Sequence, residues 1–265
     1  MIEGAEDVED AAAVEFAPAP LGDGVQRFCD EIRHRVPGWV SERTPEIIDC
    51  IDKGQAELGV VGDIAEIGVH HGLFLLLLAA VRRDREAVHA FDLFERQDLN
   101  IDHSGAGSIE DVRNAIRIFY PSNIDAFTLR AVDSMSIRSS NVQAYFPSLV
   151  RLLSIDGGHT QLHVVNDLNI AQEVLVGGGV AVLDDFMGPH WPSVTEGFFR
   201  FMATLNQRLA PFLSFQNKLY LTTYSEHALV SAAVKTHLDA RLGPEMFSGA
   251  WKYVELAGHR VISHP

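Results

Sequence analysis

Cysteine is nearly absent from this chain. Cys29 and Cys50 are the only two in 265 residues. They are too few for a disulfide framework and sit in no metal-binding spacing, so a reducing cytoplasm is the expected setting. Long apolar runs are also missing. The most apolar stretch, residues 74–81, falls far short of the roughly 20 residues that cross a bilayer, and no basic segment precedes an apolar one as a signal peptide requires. Positive charge is scarce: 21 Lys and Arg face 36 Asp and Glu, a net charge of -15. That balance excludes a nucleic-acid or anionic-membrane surface, either of which needs a basic face. A small molecule or a protein is the partner that remains.

The chain has enough apolar residues, 47% of the total, to bury a full core, and one α/β domain with an added piece is expected. Residues 1–20 carry six acids and no Lys or Arg and end in Ala-Pro-Ala-Pro, a composition that builds no core and reads as a disordered acidic arm. Residues 21–57 read as an N-terminal helical cap. Val25, Phe28, Cys29 and Ile32 share one helix face that stops at Pro37-Gly38. A second helix is expected from Thr44 as N-cap, with Pro45 in its first turn and Gly54 at its end. Such a cap forms either a pocket wall or a dimer contact. Residues 58–265 then alternate strands and helices. Strands are expected at 63–69, 88–92, 127–132, 152–156, 180–186, 213–223 and 253–263, with helical periodicity between them. The polar, strand-free segment 94–107 reads as a lid.

The chemistry gathers where these strands end. The first strand runs into Gly68 and Gly72, which allow a tight turn and close approach to a ligand at a helix N-terminus. The second ends in Asp92, about 20 residues on, where a carboxylate can take ribose hydroxyls or simply cap a helix. The third ends in Asp133 and Ser134. Asp156 closes the fourth, in Ile-Asp-Gly-Gly-His159, and Asp184 with Asp185 closes the fifth. Adjacent acids repel without a cation, so Asp156, Asp184 and Asp185 read as a magnesium site, the all-oxygen set arguing against zinc. Capping and solvated strand ends are the alternatives. His159 stands either as a base or as a bystander, and Trp191 either stacks on a sugar face or acts as a hydrophobic staple.

Glu66-Ile67-Gly68-Val69-His70-His71-Gly72 resembles the first motif of class I S-adenosylmethionine-dependent methyltransferases. Ser154-Ile155-Asp156-Gly157-Gly158-His159 and the stretch from Gly177 to Asp185 resemble the paired blocks of metal-dependent O-methyltransferases, closest to the macrolide-type sugar O-methyltransferases. The likeness spans residues 58–225. A narrower likeness is to the mycobacterial methyltransferase that blocks a methylmannose oligosaccharide precursor. The resemblance implies a Rossmann-like seven-stranded sheet with its last strand antiparallel and helices on both faces. It implies a methyl donor held by Glu66, Gly68, Gly72, Asp92, Asp133 and Ser134. It also implies Mg²⁺ on Asp156, Asp184 and Asp185, with His159 as general base. His70-His71 departs from the small residues of that turn. The expected activity is O-methylation of a sugar or oligosaccharide hydroxyl by a cytoplasmic homo-oligomer, a dimer first. A catechol or phenol acceptor, a catalytically silent partner subunit and, more remotely, an NAD-dependent oxidoreductase are the rival readings.

Overall fold

The protein is described by a computed structural model over residues 16–243 and 251–264, so the acidic arm expected at 1–20 lies outside the described residues up to residue 15. Helix α1 (Asp23–Arg27) passes into a wider π-helical turn at Phe28–Ile32, and Val25, Phe28 and Ile32 are buried as their spacing requires. Helix α2 (Thr44–Glu57) is capped by Arg43, so Thr44 is its first residue and not its N-cap. It also continues past Gly54. This glycine lets two helices approach: a Cβ there would lie 3.1 Å from the backbone nitrogen of Val234, in the last helix.

The remaining elements follow in order: β1 (Asp63–Ile67), α3 (Leu73–Ala80), β2 (Val88–Asp92), α4 (Ile109–Phe119), β3 (Phe127–Ala131), α5 (Val142–Tyr145), β4 (Val150–Ile155), α6 (Gln161–Val174), β5 (Leu175–Leu183), α7 (Pro192–Met202), β6 (Leu209–Phe215), β7 (Lys218–Thr223), α8 (His227–Leu242), β8 (Lys252–Leu256) and β9 (His259–His264). They build one sheet in the order β3-β2-β1-β4-β5-β7-β6-β9-β8. The first five strands pair in parallel, and β7 runs antiparallel to both neighbours. The α/β class and the reversed strand are as expected. The strand count differs, because two stretches read as single strands are hairpins. Residues 213–223 fold back at Gln216-Asn217, and residues 253–263 at Ala257-Gly258, where both φ angles are positive, as a type I′ turn demands. The second hairpin extends the seven-stranded order by β9, parallel to β6, and β8. Helix α7 stops at Met202, leaving Leu205 in solvent.

Apolar side chains fill both faces of the sheet. One core joins the cap to α3, α4 and α8 through Phe28, Ile48, Leu76 and Val234. The other packs α6 and α7 through Leu168, Ala171 and Phe198. At the amino end of β4 the fully buried Arg151 grips Glu86 through two bonds of 2.6 and 2.9 Å, and Asp52 and Gln55 of α2 at 3.0 and 2.9 Å. The cap is thereby fixed to the sheet by a satisfied buried ion network, whose disruption from one side is costly. Chain order reverses direction between β1 and β4, and in open α/β sheets that switch point opens a crevice at the carboxyl ends of the strands.

Candidate active site

At the end of β1 the backbone turns through Gly68, φ +84°, where a Cβ would fall inside the Asp156 carbonyl. Asp156 N in turn donates to Ile67 O at 2.8 Å. The first glycine therefore lets β4 lie against β1. Gly72, φ +88°, precedes the first turn of α3. Asp92 stitches this turn together. Its Oδ2 accepts from Val69 N and His70 N at 2.6 and 2.9 Å, and its Oδ1 accepts from Phe94 N at 2.6 Å. Each carboxylate oxygen has two lone pairs, so Oδ1 keeps one for a further donor. The His70 ring lies between the indole of Trp39, 5.2 Å away, and the edge of His71. Asp133 Oδ1 caps a short turn through Met135 N at 2.8 Å, and Ser134 is buried beside Asn166, which donates to its carbonyl. Glu66 is buried with one carboxyl oxygen unpartnered, and burial and the nearby Asp156 raise its pKa well above the ordinary carboxylate range.

At the ends of β4 and β5 the structure brings Asp156, His159 and Asp185 together, with one ligand atom from each within 4.8 Å of the others. Asp184, expected beside them, lines the same cleft, but its carboxylate is engaged elsewhere. Its carboxylate is an ion pair with Lys218 and accepts from Asn217 Nδ2 at 2.9 Å. Asn217 Nδ2 also lies 3.2 Å from Asp185 Oδ1, so the two neighbouring carboxylates share one donor. The repulsion that suggested a metal is thus relieved for Asp184 by Lys218, which is 4% exposed and also covers the Phe74 ring. Asp156, His159 and Asp185 fit a divalent cation, having two carboxylates and an imidazole nitrogen in reach of a common point.

His159 is held on every side. Nε2 lies 3.3 Å from Asp185 Oδ2 and 3.6 Å from Asp156 Oδ1, Nδ1 lies 3.0 Å from Asp102 Oδ2, and the ring stacks on Trp191 at 4.2 Å. Burial opposes its charge, but hydrogen bonds to Asp156 and Asp185 prevail and hold the imidazole pKa up at about 10. Burial and Asp184 push Asp156 upward, although its side chain, 36% exposed, stays in touch with water. A cleft of about 200 Å³, open solvent included, runs past Asp156, His159 and Asp184 to Val194. Five residues in the loops that follow β1, β2 and β5, namely His70, Phe94, His103, Asp185 and Met187, have positive φ without being glycine. Each such conformation costs on the order of 1–3 kcal/mol and concentrates at working sites.

Asp102, Lys218 and Asn217 were not among the residues singled out from sequence. Asp102 lies in the segment read as a lid, but nothing local marks it among the other polar residues there. Lys218 and Asn217 had a signal. A polar Gln-Asn-Lys step between two apolar runs is a hairpin turn, and its return strand lands beside β5.

Residues 65–186 match the family model described as a methyltransferase domain. The matched segment runs from β1 to just past the end of β5. The match bears out the enzyme class read from the glycine turn and the paired blocks. No curated protein matches the chain. Among solved structures the O-methyltransferase NovP is 17% identical with a TM-score of 0.52, over 68% of this chain and 79% of that one. CalS11, a TDP-rhamnose 3'-O-methyltransferase of calicheamicin biosynthesis, is 17% identical with a TM-score of 0.51, over 76% and 93%. TomG from Streptomyces achromogenes, an O-methyltransferase in complex with SAM, is 14% identical with a TM-score of 0.50, over 77% and 90%. At these identities the likeness establishes the shared fold.

Proposed function

We propose that the methyltransferase domain moves a methyl group from S-adenosylmethionine to a sugar or oligosaccharide hydroxyl, with His159 as general base. The observation that carries this reading is the four-sided hold on the His159 ring beside a donor turn at the switch point of the sheet. The oxygen acceptors of the solved neighbours, one of them a nucleotide-linked rhamnose, support the class of acceptor.

S-adenosylmethionine supplies the electrophilic methyl group. Glu66, Gly68 and Gly72 line its methionine end, the free lone pair of Asp92 Oδ1 takes a ribose hydroxyl, and Asp133 with Ser134 flanks the adenine. Asp156 and Asp185 are the carboxylates that would hold Mg²⁺, with Asp184 beside them paired to Lys218; a bound divalent ion would supply charge that orients the acceptor and lowers its hydroxyl pKa. Without such an ion the two carboxylates favour the protonated imidazole; a cation held on them would weaken that hold and leave His159 Nε2 free to accept the hydroxyl proton. General bases of this kind contribute about 10²- to 10⁴-fold. Trp191 braces the imidazole and offers its outer face to the acceptor ring, an arrangement that also suits a catechol. Ordered donor and acceptor together supply the proximity on which the rate chiefly depends. A catalytically silent partner subunit would not need His159 held this way. Among the described residues no helix is long and apolar enough to cross a membrane, in keeping with a cytoplasmic enzyme, which we expect to act as a homodimer.

The test is transfer of a labelled methyl group to a panel of nucleotide sugars, oligosaccharides and catechols, with and without EDTA. Sugar labelling that EDTA abolishes and Mg²⁺ restores is the expected result. Labelling confined to catechols overturns the acceptor, and full activity in EDTA overturns the metal.

A further inference from the structure

Away from the cleft, a second concave site lies between helix α6 and the residues that lead into α5. It is a cavity of about 500 Å³, open solvent included, within the range of about 300–1,000 Å³ that small-molecule sites occupy. Its floor is apolar. Ile137, Val142 and Ile170 line it and otherwise belong to the core that packs α6 and α7. Arg138 forms one wall, just past the short turn Ser134–Ser136 that follows β3, and Glu173 lines it two turns along α6 from Asn166.

Arg138 is set for a ligand of one kind. Its main chain is tied by Asn141 Oδ1, which accepts from Arg138 N at 2.7 Å. Its Nη1 donates to Ile137 O at 3.1 Å and to Asn166 Oδ1 at 2.6 Å, which spends both hydrogens of that nitrogen and fixes the guanidinium plane. The other edge, Nε and Nη2, has no partner among the described residues. That edge carries the two parallel N–H bonds that grip a carboxylate side-on, and a group already held loses less freedom on binding. A second negative charge on the ligand is disfavoured. Glu173 carries its own charge, paired with Arg208 at 3.1 Å, in a chain of net charge -15, so a singly charged carboxylate suits the cavity better than a phosphate. The floor calls for an apolar body behind that carboxylate.

The cavity is one residue away from the donor end of the cleft. Asn166, whose Oδ1 holds Arg138, donates from Nδ2 to Ser134 O at 2.9 Å. Ser134 lies in the turn capped by Asp133. A carboxylate gripped by Arg138 steadies the guanidinium, with it Asn166, and through Asn166 the Ser134 turn.

We propose that this cavity is an effector site for a small monocarboxylate with an apolar body, whose binding tightens the donor end of the cleft. The site itself stands on the cavity and on Arg138. Its effect on the donor rests on the reading, given above, that Asp133 and Ser134 flank the adenine of S-adenosylmethionine.

The test uses the full chain and four probes: hexanoate, phenylpropionate, hexanol and inorganic phosphate. Saturable binding is read by calorimetry and by ligand-observed NMR, neither of which needs a methyl acceptor. The two carboxylates should bind with a Kd of about 1 mM or tighter, and hexanol and phosphate at least about tenfold more weakly. Arg138→Gln should weaken the carboxylates about tenfold or more and leave hexanol within about twofold. Saturating hexanoate should raise the affinity for S-adenosylhomocysteine about fivefold, and S-adenosylhomocysteine should raise the affinity for hexanoate by the same factor. Asn166→Leu, which removes the link to Ser134, should bring that factor to about 1. Absence of saturable carboxylate binding overturns the proposal. Carboxylate binding undiminished in Arg138→Gln overturns it too, as does phosphate binding more tightly than hexanoate. An S-adenosylhomocysteine affinity unmoved by saturating hexanoate overturns the effector role, and a coupling that persists in Asn166→Leu overturns the route. If S-adenosylhomocysteine itself does not bind, while hexanoate binds and depends on Arg138, the failure belongs to the proposed function and not to the cavity.

Discussion

Asp92 and Asp102 are both ionisable carboxylates that gather donors at the open edge of the sheet, yet they do so over different distances. Asp92 takes backbone donors 2, 22 and 23 residues away, all in the glycine turn or just past its own strand. Asp102 reaches 57 residues to His159. The donor half is one strand-turn-helix unit and its neighbour, closed by local chemistry. The acceptor half is assembled from four distant pieces: the 94–107 segment, the end of β4, the end of β5 and the hairpin at Asn217-Lys218. A donor half of this kind suits a ligand whose shape does not change from one acceptor to the next. The acceptor half leaves its geometry to loops, which vary more freely than the elements they join.

The same contrast decides what could be read from sequence. Gly68, Gly72 and Asp92 were legible because a glycine turn after an apolar strand and an acid at the next strand end lie within one short window, and periodicity located both strands. Asp156, His159 and Asp185 were legible as chemistry for a like reason. Their partners were not. No local pattern says that Asp102, rather than Asp98, closes on the imidazole, because that contact is made by tertiary packing. The pairing of Asp184 was not legible, because the sequence shows two adjacent acids but not the ammonium that neutralises one. Lys218 reaches it only once residues 213–223 are seen to turn at Gln216-Asn217. The C-terminal hairpin was missed in the same way, its Ala-Gly turn hidden within a continuous run of strand-forming residues. Gly68 was read as room for a ligand; the structure adds a second demand on it, the close approach of the Asp156 backbone.

Three substitutions separate the halves, in descending order of effect. Gly68→Ala should damage both, because it places a Cβ into the Asp156 carbonyl at a φ that only glycine adopts readily. A loss of about 3 kcal/mol or more is expected, lowering the thermal midpoint by roughly 10 °C. A midpoint within about two degrees of the parent would show that β1 and β4 need no glycine there. Asp92→Asn should harm the donor half alone. One of its two backbone clusters loses its acceptor, at about 1–3 kcal/mol for each donor left unsatisfied, so S-adenosylmethionine should bind at least about tenfold more weakly by calorimetry while the single-turnover rate at saturating donor stays within about twofold. A fall in that rate as large as the loss of affinity would mean that the two halves are not built independently.

The smallest effect belongs to Asp167, a buried carboxyl on α6 that lies behind both halves. One of its oxygens accepts from Asn166 at 3.2 Å and the other has no partner. Burial chiefly, opposed by the neighbouring polar side chains of Ser134 and Asn166, raises its pKa to about 7. A carboxyl whose folded pKa is raised binds its proton more tightly folded than unfolded. Its stabilising contribution is therefore full below the ordinary value near 4, and is lost as pH climbs through about 7. Asp167→Asn should flatten the decline in stability between about pH 4 and 7 in urea titrations, leaving the variant the more stable protein at pH 8. An unchanged slope would show that the carboxyl is not proton-linked to folding.

The central claim is that binding the methyl donor and activating the acceptor belong to separate parts of one cleft, with His159 on the acceptor side. The most direct measurement takes His159→Gln and the unsubstituted protein side by side, reading S-adenosylmethionine affinity by calorimetry and single-turnover transfer of a labelled methyl group to a sugar acceptor. The account predicts affinities within about twofold and transfer slowed by about 10²-fold or more, the usual scale for a general base. Transfer at the parent rate would contradict it, as would a loss of donor affinity as large as the loss of rate.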